Sequence, residues 1–117
     1  MLRRALMALL LLSAPAFADA PKMIEAIAER TGGTWTFNVT IEHADSGWDH
    51  YADAWRIVDG NGTVLGVRSL AHPHTSEQPF TRSLSGVAIP EGVTEVGIQL
   101  SDSKTGWTGT VGTLRLR

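Results

Sequence analysis

The sequence contains no cysteine. No disulfide can staple the fold, and no thiolate is present to bind a metal or attack a substrate. Of three methionines only Met23 lies beyond the N-terminal segment, which disfavours a thioether site for Cu(I). Basic residues are few and form no cluster: twelve acidic side chains face ten basic ones. That balance argues against nucleic acid and anionic membranes as partners. Internal repeats and low-complexity tracts are absent. So are the G-x-S-x-G elbow and a glycine-rich phosphate loop. A hydrolase with paired carboxylates needs a cleft holding two separated acids, and a domain this small has little room for one. The residues therefore give no catalytic assignment.

What is present begins with a targeting signal. Arg3 and Arg4 form a short basic start, residues 5–12 are an apolar run, and Ala16-Phe17-Ala18 is a small-residue cleavage site. The run is too short to span a bilayer as a helix. The pattern is that of a signal peptide over residues 1–18, cleaved after Ala18. The expected product is a periplasmic or secreted chain that does not insert in the membrane. Residues 19–117 suffice for one small domain.

Period-two alternation runs through that domain. It is clearest over residues 34–43, where Trp35, Phe37, Val39 and Ile41 share one face and His43 continues their row. Residues 23–30 read as a strand, with Ile24, Ala26 and Ala28 on one face, although Ala and Glu also favour helix. Further strands are expected at 53–59, 63–71, 80–86, 93–102 and 110–116. Thr31-Gly32-Gly33, Asp59-Gly60-Asn61-Gly62 and Ile89-Pro90-Glu91-Gly92 supply the turns between them. The expected fold is all-β, a seven-stranded antiparallel β-sandwich.

Trp55 in the third strand, the DGNG hairpin and the IPEGV turn before VTEVGIQLSD carry a resemblance to immunoglobulin and fibronectin type III domains. It covers residues 22–117 and implies an architecture only. The cysteine pair and tyrosine corner of antibody domains are missing, and this architecture hosts many functions.

Counting strands separates two ends of the molecule. One receives the three generic turns. The other receives the loops 44–52, 72–79 and 103–109. Together with His43 at a strand end, that second end holds all four histidines, His43, His50, His72 and His74, with Trp48, Tyr51, Trp107, Asp45, Asp49 and Glu77. Large aromatics and titratable groups do not help a chain turn, and loops at one end of such a scaffold commonly carry binding.

Two chemistries fit these residues. In His72-Pro73-His74 the two imidazoles lie two positions apart in a chain that proline biases towards extension, so both can aim at one point. His50 and His43 could add nitrogen, and Asp45, Asp49 or Glu77 oxygen. That set suits Zn(II), Cu(II) or Ni(II). Alternatively, Trp48, Tyr51 and Trp107 offer faces for a carbohydrate or protein partner. Each reading has a structural counterpart: hydrogen-bonded loop histidines, or a tryptophan that plugs the end of the sandwich. Asp45, Asp49 and Asp53 are spaced by four and do not match a calcium loop. Arg82 is expected to pair with Asp49 or Asp53.

Overall fold

A computed structural model describes residues 20–117, all but the first 19; the expected signal peptide lies outside them. The described chain is all-β. Its seven strands are β1 (Lys22–Thr31), β2 (Thr34–Glu42), β3 (Ala52–Val58), β4 (Val64–Ser69), β5 (Phe80–Val87), β6 (Glu95–Asp102) and β7 (Gly106–Arg115). They form two antiparallel sheets, ordered β1-β2-β5 and β4-β3-β6-β7.

The alternation in β2 places Trp35, Phe37, Val39 and Ile41 inward, all buried. From the other sheet, Trp55 and Ile57 of β3 and Val96, Ile98 and Leu100 of β6 join the same cluster. One core thus lies between the two sheets, consistent with a β-sandwich. Burying each such side chain contributes about 1.5–3 kcal/mol relative to exposure. With no disulfide, these rows carry the stability.

In β1, pairing with β2 overrides helix propensity: Ala26 and Ala28 sit opposite Val39 and Phe37. The inward face is not as expected at its start. A bulge between Met23 and Glu25 shifts the register. Met23 therefore packs against the core, while Ile24 is turned out and 51% exposed. Met23 also lies over Gly112 of β7, where a Cβ would collide with the thioether end.

The largest boundary difference is in β7, which starts at Gly106 rather than 110. Asp102 accepts the amides of Lys104 (2.9 Å) and Thr105 (2.8 Å), and Gly106 takes a positive φ of 81°. The connection closes in three residues, 103–105, and Trp107 falls on a strand instead of a loop.

Candidate metal centre

Two core rows terminate in titratable groups at the same end. The β2 row Trp35–Ile41 continues into His43, just past the strand and buried. The β6 row Val96-Ile98-Leu100 ends in Asp102, which is 1% exposed. Between β2 and β3 the chain doubles back through a tight turn. The Ser46 amide donates to the His50 carbonyl (3.0 Å) and the His50 amide to the Gly47 carbonyl (3.2 Å). Gly47 takes φ 143°, a conformation that disfavours any other residue. The turn sets His50 edge-on against His43, with ring centroids 4.8 Å apart.

Asp45 holds the loops together. Its Oδ1 accepts from His43 Nδ1 (2.6 Å) and the Ala52 amide (3.0 Å), and its Oδ2 from the His74 amide (2.7 Å). A carboxylate only accepts, so His43 donates through Nδ1. Asp102 is similarly engaged, with Thr105 Oγ1 donating at 2.5 Å besides the two turn amides. Burial alone would push the Asp102 carboxyl up; the hydrogen bonds from Thr105 and Lys104, with His50 nearby, outweigh it and hold the group below the usual carboxylate range.

His43, His50 and Asp102 each bring one potential ligand atom to within 4.8 Å of the others. His50 Nε2 is buried without a hydrogen-bond partner, because Asp102 Oδ1 at 3.3 Å is poorly aligned. Two imidazole nitrogens, one of them the orphaned His50 Nε2, and one carboxylate oxygen fit Zn(II) or Cu(II). Asp45 behind His43 is the kind of outer carboxylate that fixes a ligating tautomer. Tetrahedral bonds of about 2.0–2.1 Å set two donors about 3.4 Å apart, so a donor pair at the outer limit of 4.8 Å would close by more than about 1 Å on binding.

His72 and His74 occupy a different setting. Their rings are 4.7 Å apart, and His74 stacks on Phe80 at 3.9 Å. Arg82 Nη2 lies 3.0 Å from His74 Nε2. Guanidinium only donates, so this nitrogen accepts and its lone pair is already engaged. The other nitrogen, Nδ1, has no hydrogen-bond partner, with Asp45 Oδ2 4.0 Å away. Burial, then the charges of Arg82 and His72, push His74 below the ordinary histidine value, against opposing pulls from Glu77 and Asp45. His72 is exposed and its Nδ1 lies 3.0 Å from the Pro73 carbonyl. Arg82 is shared between His74 and Glu77 (3.2 Å), and does not make the expected link to Asp49 or Asp53. Those aspartates sit in the 44–51 loop and at the start of β3, whereas Glu77 is five residues from Arg82 and within its reach.

The aromatic candidates separate too. Trp48 stands at the tip of the Gly47–His50 turn, 68% exposed, edge-on to Tyr51 at 5.6 Å. It does not plug the core. Trp107 lies on β7 beneath the Arg56 guanidinium, 3.9 Å from the ring centroid. Asp49 and Glu77 are both exposed. An open cleft of about 440 Å³ borders His43 and is lined also by Ala20, Lys22, Glu42, Ala44 and Gln78. Sequence reasoning missed Asp102 as a site residue. The signal was available: the parity that turns Val96, Ile98 and Leu100 inward also turns Asp102 inward.

No family model matches this chain. Over 88 residues it is 39% identical to a protein of Halomicrobium mukohataei described as "Putative lipoprotein". The match covers 74% of this chain and 43% of that protein, so the chain spans less than half the length of this relative.

Proposed function

We propose that this chain is an extracytoplasmic binding domain that holds a transition-metal ion, Zn(II) or Cu(II), through His43, His50 and Asp102. The observation that carries the reading is the convergence of these three donors within 4.8 Å at the buried base of the loop end. In this reading His43 is oriented by Asp45, His50 is supplied by the Gly47–His50 turn, and Asp102 by the end of β6. Three protein donors leave at least one coordination position for water or an external group. The cell-envelope location is supported by the N-terminal signal pattern and by similarity to a protein described as a lipoprotein. The architecture is read as immunoglobulin-like. The fourth strand hydrogen-bonds to the third rather than joining the first sheet, which departs from constant-type immunoglobulin domains. Residues 19–117 are read as one domain.

The test is calorimetric titration of untagged protein with Zn(II) and Cu(II). One ion per chain is expected for wild type and His72→Ala, and none at micromolar concentration for His50→Ala or Asp102→Asn. Wild type that takes up neither ion, or His50→Ala that binds as tightly as wild type, refutes the site.

A second reading rests on the hydrogen bonds themselves. Asp45 and Asp102 each accept three, nearly all from backbone amides or neighbouring loop groups. They would then serve to lock the loops. Loss of stability in the variants without any metal uptake by wild type favours it.

A further inference from the structure

A tryptophan at a loop tip presents a large flat apolar face to solvent, where a ligand can reach it. Trp48 is the one large apolar side chain counted as exposed in the loops at this end, among the described residues. The other exposed apolar side chains lie on strands: Ile24 and Ile27 on β1, Val64 and Val67 on β4, Trp107 and Val111 on β7. Trp107 is already covered on one face by Arg56. The indole of Trp48 is therefore an isolated apolar island, with the Tyr51 ring set edge-on beside it and the exposed carboxylate of Asp49 next in sequence.

The size of that island selects the occupant. A stable protein interface buries about 800 Å² on each partner around an apolar centre, whereas one aromatic side chain covers about 150–250 Å². The patch falls well short of the first and is comparable to the face of one pyranose ring. A sugar ring presents axial C–H groups to an indole face and hydroxyls at its rim. Asp49 can accept from those hydroxyls, and the Tyr51 phenol can donate or accept. The lack of a basic cluster removes the attraction that a polyanionic ligand would need.

We propose that Trp48 and Tyr51 form a carbohydrate subsite for a single neutral sugar ring, with Asp49 as its hydroxyl acceptor. The subsite is separate from the metal donors and does not depend on them. The turn has two outputs: His50 points to the buried cluster, and Trp48 to solvent.

The test is an NMR titration following the Trp48 indole Nε1–H and, in wild type and variants alike, the backbone amides of residues 47–51, with gluco-, galacto-, manno-, xylo- and chito-oligosaccharides. It is run on untagged full-chain protein, once with Zn(II) and once with a chelator. A saturable shift for at least one sugar is expected in both conditions. It should disappear in Trp48→Ala, whose melting temperature is unchanged because the side chain is exposed. Asp49→Asn should weaken the same sugar several-fold. No shift with any sugar at about 10 mM, weaker than a millimolar contact, overturns the subsite while leaving the metal reading to its own titration. A shift that persists in Trp48→Ala overturns it as well. Self-association at micromolar concentration that Trp48→Ala abolishes would assign the indole to a protein interface instead.

Discussion

The molecule carries two pairs of histidines with nearly the same ring separation, 4.8 Å for His43–His50 and 4.7 Å for His72–His74. Their chemistry differs because their third partners differ. Carboxylates flank the first pair: Asp45 accepts the His43 proton and Asp102 lies 3.3 Å from His50. A guanidinium flanks the second and occupies the lone pair of His74. Asp102 leaves His50 Nε2 without a hydrogen bond, whereas Arg82 takes His74 Nε2 and helps lower the basicity of that ring. Proximity of two rings is thus a poor guide to a metal site until the sign of the neighbouring charge is known.

Removing the carboxylate hub should produce the largest effect. Asp45→Ala leaves His43 Nδ1–H and the Ala52 and His74 amides without their acceptor in a buried place. A loss of about 3 kcal/mol or more is expected in urea unfolding. A loss under about 1 kcal/mol would mean that the hub matters little and that the two pairs are independent.

Next comes the contrast in metal uptake. In a competition assay with a chromophoric chelator, His43→Ala should abolish high-affinity Zn(II) binding, whereas the double variant His72→Ala/His74→Ala should retain it. The reverse result would exchange the roles of the two pairs.

The pH dependence sharpens the comparison. His74 binds its proton less readily folded than unfolded. Between its lowered value and the ordinary 6.5 the unfolded chain holds more protons, so stability rises with pH in that window. The contribution is complete above 6.5 and is lost as pH falls through the folded value. His74→Gln should flatten this part of the stability curve. Arg82→Gln removes one of the charges that lower His74 and should move its NMR titration midpoint upward. An unchanged midpoint would leave burial and His72 as the causes.

The smallest effect is expected for Glu77→Gln. Glu77 is 60% exposed on its side chain and pairs with an Arg82 that is itself partly in water. The stability change should be under about 1 kcal/mol, as for most surface pairs. A larger change would show that Arg82 needs Glu77 to hold His74.

Much of the fold was legible because two-residue alternation is a local property. Trp35 to Ile41 and Val96 to Leu100 could be read as inward rows without knowing their partners. The gathering of the loops also followed from counting strands: Asp45 reaches His74, and the Tyr51 amide reaches Ser103 Oγ at 3.0 Å. The candidate site was legible in part. The sequence pattern singles out His43 and His50, whereas Asp102 reads only as the end of a strand. SKTGWTG has the composition of a loop, yet the Asp102-capped turn closes in three residues and leaves Trp107 on β7.

From the sequence alone came the strand rows, the turns and the end of the molecule where imidazoles and indoles collect, since each depends on neighbours a few residues apart. Only the tertiary structure decided which imidazole meets a carboxylate and which meets Arg82, because those partners come from strands and loops far apart in the chain. Bulges in β1 and β7 add to this: a one-residue slip reverses which side chains face inward, and nothing local announces it.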